Sequence, residues 1–195
     1  SRVLQSDAFS EAAKRLRLDG ILHHCTPLDP FTALILPPLF RSKLTQNERS
    51  LFAFLTSREA HGFQDFLGRT VVDHKTTLYR LDQLYDYVLA ALGSSVFLGD
   101  RSHRWAGIEG ALQRVSAGWP PLASSVVKAI GLLGLYGPQV GLKPSPETLE
   151  LVFHGEVKLG EAISRLKKAS IIIFRKHEGA YGLWEGSDVN LDAEY

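Results

Sequence analysis

The residues best suited to chemistry are cationic and lie toward the C-terminal end. Between Val157 and Lys168 the apolar residues Leu159, Ala162, Ile163 and Leu166 recur at helical spacing. That spacing leaves Lys158, Glu161, Ser164, Arg165, Lys167 and Lys168 facing outward. Long cationic side chains on one helix face can meet phosphates, and Ser or Arg can reach base edges, so this is the face a recognition helix requires. A β-branched run follows and turns back at Gly179, which places Arg175, Lys176 and His177 at a hairpin tip. From Glu156 to Glu178 there are six Lys/Arg against three Glu, a local balance of +3 in a chain whose formal net charge is +1. The same face would serve equally to dock a protein surface, or only to keep a helix and a hairpin solvated. The residue types alone leave DNA, protein and no partner open.

Other constellations are weaker. Gly137-Pro138-Gln139-Val140-Gly141-Leu142-Lys143-Pro144 has three residues between its glycines, and Pro144 stands where a phosphate-binding loop needs Ser or Thr for magnesium. It reads as a turn between two helices. His23-His24-Cys25 is a single local run without a second ligand pair, so no metal site is expected there. His61, His74, His103 and His154 are scattered and read as surface or capping residues. Cys25 has no evident base partner, and neither G-x-S-x-G nor H-E-x-x-H occurs. No catalytic residue and no cofactor is therefore assigned. The aromatic series from Phe52 to Tyr87 reads as packing, because Asp65, Asp82 and Asp86 intervene where a base-stacking platform needs cations. Asn47-Glu48-Arg49-Ser50 heads an apolar helix, where first-turn amides favour anions. Beside their capping role, Asn47 and Arg49 are candidates for an anion or interdomain contact.

The elements that must position these groups follow from caps and periodicity. Helices are expected over Ser6–Arg17, from Pro30 behind the cap Asp29, over Glu48–Ser57 behind the capping box Thr45–Glu48, around Gly62–Leu67, over Asp82–Leu92 and over Ser102–Val115. In the second of these, Pro37-Pro38 is expected to interrupt the apolar stripe. Gly118-Trp119-Pro120-Pro121 is the best boundary, on the rule that two successive prolines do not sit inside a helix. Beyond it the order is helix Leu122–Tyr136, helix from Pro146 behind Ser145, helix Val157–Lys168, then strands Ile171–Phe174 and Ala180–Trp184. That is the order of a winged helix. The expected fold is mainly α: a helical bundle over residues 1–117, a winged helix-turn-helix with a small β-hairpin over 122–186, and an acidic tail over 187–195.

Apolar residues make up 45% and charged residues 22% of the 195, the balance of an ordinary globular chain with enough length for a real core. No stretch approaches the ~20 apolar residues of a membrane span, and the first twenty residues are amphipathic rather than signal-like. With one cysteine no internal disulfide can form, which points to a cytoplasmic setting. The chain lacks Met, begins at Ser1 and ends acidic, which reads as a piece of something larger.

Three runs carry a resemblance. Pro30-Phe31-Thr32-Ala33-Leu34, Gln46 through Leu55 (QNERSLFAFL) and Tyr181 through Asp188 (YGLWEGSD) resemble segments downstream of the nucleotide-binding core in large bacterial P-loop ATPases of the signal-transduction and AAA type. Several such ATPases are implicated in defence against phage. The resemblance implies a lid-like helical region over 1–115, a winged helix over 122–186, and an ATPase core before Ser1. It carries over no nucleotide-binding residue, because the Walker elements are missing here. The expected function is thus a non-catalytic regulatory or binding region of a larger ATPase, its winged helix contacting a neighbouring domain or duplex DNA. The alternative is a free-standing DNA-binding transcription regulator with a helical dimerisation or effector domain. An enzyme built around His24–Cys25 ranks third.

Overall fold

The computed structural model describes residues 24–42, 51–70, 77–98 and 101–184. The expected first helix, the Thr45–Glu48 capping box, Asn47, Arg49, His23 and the acidic tail lie outside the described residues.

The described chain is mainly helical, with eight α-helices and one small antiparallel sheet. Helix α1 (Pro30–Arg41) begins where Asp29 accepts a hydrogen bond from the Thr32 amide at 2.9 Å, with Pro30 as its first residue. It runs straight through Pro37 and Pro38, contrary to the expected interruption. The two rings remove the amides that would bond the carbonyls of Ala33 and Leu34. Burial of Phe31, Ile35, Leu36 and Leu39 offsets that loss and holds the helix together. Two short helices follow, α2 (Leu51–Thr56) and α3 (Phe63–Arg69), then α4 (Leu81–Leu92), a 3-10 turn over Gly93–Phe97, and α5 (Ser102–Gln113).

Aromatic rings weld the short helices together. Phe54, fully buried, meets Tyr87 at 5.0 Å and Tyr79 at 5.4 Å, both edge-on, and Phe40 and Phe63 at 6.0 and 6.1 Å. Tyr79 donates its hydroxyl to the His61 carbonyl at 2.7 Å, so the ring cluster also fixes the loop before α3. From Phe54 to Tyr87 these rings are packing, as expected, but Phe52, expected to pack with them, is 75% exposed on the outer face of α2.

Helix α6 (Pro121–Tyr136) is the centre of the molecule. Pro120 and Pro121 occupy its cap and first position, so here the proline pair does mark a helix start. Nearly every face of α6 is buried, from Ala123 and Val126 to Leu135 and Tyr136. It packs against α1, α4 and α5 and also against α8 and the hairpin. One continuous cluster of buried apolar side chains runs from Leu28 to Ile172, across Gly118–Pro121. Lys128 of α6 adds a two-pronged ion pair to Asp86 of α4, at 2.7 and 2.9 Å.

After α6, a 3-10 turn (Gly137–Val140) and a left-handed Gly141 reverse the chain, as the run was expected to do. Gly137 admits no side chain, since a Cβ would lie 2.6 Å from the Leu142 carbonyl oxygen. Then come α7 (Pro146–Val152), capped by Ser145 Oγ on the Thr148 amide at 3.1 Å, and α8 (Leu159–Lys168). Strands β1 (Ile172–Arg175) and β2 (Ala180–Leu183) pair antiparallel, with Ile172 opposite Leu183 and Arg175 opposite Ala180.

Candidate binding interface

Helix α8 turns Leu159, Ala162 and Leu166 into the core and leaves Lys158, Ser164, Arg165, Lys167 and Lys168 exposed. The exposed residues form two stripes. Lys158 and Arg165 flank Glu161 beside the start of α6, and Arg165 is bound to Glu161 at 2.8 Å. Ser164, Lys167 and Lys168 instead line a groove of about 740 Å³ between α7, α8 and β2. The structure thus brings those three together and turns Arg165 to the other side.

The groove is mixed in character. Phe153, Ile163 and Tyr181 give it apolar lining, and Glu150 and Glu156, the latter paired with Arg80, line it together with the two lysines. Val157, 98% exposed, projects at its rim. Burial first, and Glu150 second, push the Tyr181 hydroxyl above its ordinary range, so it remains a neutral donor. Glu147 and Glu150 are both exposed on α7, the helix that precedes α8. Over residues 146–184 six Lys/Arg therefore face five Glu, and the local excess of positive charge almost vanishes. Among the described residues, Lys158, Lys167, Lys168 and Lys176 make no ion pair.

The hairpin tip does not complete this groove. Lys176 and His177 are exposed at the turn, with His177 Nε2 3.3 Å from Glu178 Oε1. The Arg175 guanidinium lies flat against Gly182, where a Cβ would come within 3.0 Å of it. It lines a second cleft, toward α5 and α6. The tip is tethered from behind: Lys143 Nζ donates to the Glu178 carbonyl at 2.9 Å, and the Tyr181 amide donates to the Pro144 carbonyl at 2.8 Å.

Comparison of the chain with protein-family models, curated proteins and solved structures gives no match in any of the three. Among the described residues no group of three His, Cys, Asp or Glu could hold a metal ion, and no helix is long and apolar enough to cross a membrane.

Sequence reasoning missed the groove's acidic side and two clamps. Arg114, at the end of α5, donates to the Ser170 carbonyl at 3.1 Å and to the Trp184 carbonyl at 2.8 Å, which fastens both ends of the hairpin to the helical half. Arg80 pairs with Glu156 at 3.1 Å and covers the Phe153 ring. Glu147 was legible as a negative first-turn residue of α7, but Glu150 was not legible as lining the same groove as Lys167.

Proposed function

We propose that this chain is a non-catalytic binding region in which α6 to β2 act as a winged helix, and that its α8 groove docks a neighbouring protein domain. The fold reading is supported by three helices followed by a hairpin, and by the Tyr181–Pro144 bond, which lays the α6–α7 connection along β2. In the setting implied by the resemblance, the neighbour is the nucleotide-binding core of a larger ATPase.

The observation that carries the choice of partner is the acidic side of the groove. A DNA backbone is uniformly negative, and the helix before a recognition helix crosses it. Here that helix exposes Glu147 and Glu150, and Glu156 follows it. Charges of both signs over an apolar floor suit a protein surface, where complementarity sets register. Duplex DNA is the second reading, favoured by Lys158, Ser164, Arg165, Lys167 and Lys168 being exposed on one helix.

Titration with duplex DNA at several salt concentrations separates the two. The docking reading expects binding no tighter than that of a neutral control protein. A log K against log salt slope of roughly −4 to −5, abolished by Lys167→Glu with Lys168→Glu, would overturn it in favour of four to six phosphate contacts. The double reversal should barely move thermal stability, because exposed charges contribute little to folding. In an intact ATPase it should loosen the domain contact and change basal turnover.

A further inference from the structure

We infer that the second cleft, between α5, α6 and the hairpin, is a binding site for a small amphiphilic anion: an organic carboxylate or sulfonate carried on an apolar body. The inference does not depend on what α8 binds. The cleft encloses about 590 Å³, within the range of small-molecule sites. Its floor is aliphatic, built by Ile108, Ile130, Leu133 and Leu183. Among the described residues its rim carries Arg104, Lys143, Arg175 and His103 against one acid, Glu178.

Two of these cations are fixed in place before any ligand arrives. Lys143 is held by the Glu178 carbonyl at 2.9 Å, and Arg175 lies on the bare face of Gly182. Arg104 is exposed and makes no ion pair among the described residues. Glu178 has its carboxylate 3.3 Å from His177 and 4.0 Å from Arg175. The exposed Arg104 guanidinium and the Lys143 ammonium border one cleft with an aliphatic floor, and such groups hold an anionic head while the floor takes an apolar body.

The glycines of α6 mark where the ligand body would lie. Gly131 is required by packing, since a Cβ there would meet Ile108 at 2.6 Å. Gly134, one turn on, is different: it is exposed to the cleft, and a Cβ would meet nothing within 4 Å. A glycine inside a helix costs stability relative to a residue with a side chain. Among the described residues no side chain occupies the space at Gly134, and packing against them does not explain the glycine.

The test uses two probes with the same rings, the anionic 8-anilinonaphthalene-1-sulfonate and the neutral N-phenyl-1-naphthylamine, followed by fluorescence titration of the whole chain. The sulfonate should saturate at one site. Arg104→Glu should weaken it at least about fivefold and leave the neutral probe nearly unchanged, since only the head-group attraction is reversed. Gly134→Leu should weaken both probes, because it fills the cleft while improving the helix, and its melting temperature should rise. Lys167→Glu with Lys168→Glu should affect neither, which separates this site from the α8 groove. No saturable binding of the sulfonate would overturn the inference. So would binding indifferent to both Arg104→Glu and Gly134→Leu, or binding lost only in the α8 variant. Should Gly134→Leu fail to fold, the surface substitution Arg104→Glu decides alone.

Discussion

The two ends of the molecule bury their cores by different means. From α1 to α5 the supporting elements are short: α2 has six residues and α3 seven, and each contributes few inward positions. Those positions are filled by Phe54, Phe63 and Phe66, which with Tyr79 and Tyr87 form one network of ring contacts. From α6 to β2 the burial is spread along a 16-residue helix of mostly small aliphatic side chains, with Phe174 and Tyr181 as the sole ring pair among the described residues there. A short helix can be anchored only by side chains that bury a large area each, so its stability is concentrated in few groups. A long buried helix distributes the same task.

The largest effect expected from this contrast comes from separating the ends. A chain beginning at Leu122 would expose the face of α6 that packs on α1, α4 and α5, and would lose the Arg114 and Arg80 clamps. It should fail to give a cooperative thermal transition by circular dichroism. A soluble monomer with native helix and strand signals would instead show that α6 to β2 stand alone. The next effect tests concentration against distribution. Phe54→Ala should cost about 3–5 kcal/mol in urea unfolding, whereas Val126→Ala, equally buried in α6, should cost about 2. Equal costs would break the comparison.

The smallest expected effect concerns two caps of one design. Asp29-Pro30-Phe31-Thr32 and Ser145-Pro146-Glu147-Thr148 each place a buried cap before a proline and bond a buried threonine three residues on, by both its amide and its hydroxyl. Only the first can ionise. Burial pushes the Asp29 carboxyl up to about 7, against the opposing pull of the Thr32 bonds and Arg80. A raised acid favours folding while protonated, so this contribution is complete below about pH 4 and is lost as pH rises toward and through 7. Asp29→Asn keeps an acceptor at the cap and removes the charge. It should stabilise the fold by about 1–3 kcal/mol at pH 8 and by little or nothing at pH 4. A difference between variant and parent that is flat in pH would exclude ionisation of Asp29 as the cause.

Those caps were legible because their signal is local: a short acceptor, a proline and a threonine within four residues. The α8 face was legible for the same reason, as a periodic pattern within one helix. Pro37-Pro38 shows where local rules stop. The rule that keeps paired prolines out of a helix interior holds at Pro120-Pro121, the cap and first position of α6, and fails in α1, where burial on both sides of the pair outweighs the missing bonds. The second cleft had no local signal at all. Lys143 and Glu178 are 35 residues apart, and Arg114 and Trp184 are 70 apart, so only the fold brings them together. The acidic lining of the α8 groove belongs to the same class, since Glu150 of α7 and Lys167 of α8 share one groove only in the folded chain.

Pro144 has a consequence for how molecules of this protein meet at high concentration. Its carbonyl takes the Tyr181 amide, but its ring nitrogen has no hydrogen to give back. The open edge of β2 is thereby met at Tyr181 by a residue that cannot continue the ladder. The Tyr181 amide, one of the groups an extended strand from a second molecule would template on, is already occupied, which disfavours growth of the sheet along that edge at the cost of a single hydrogen bond.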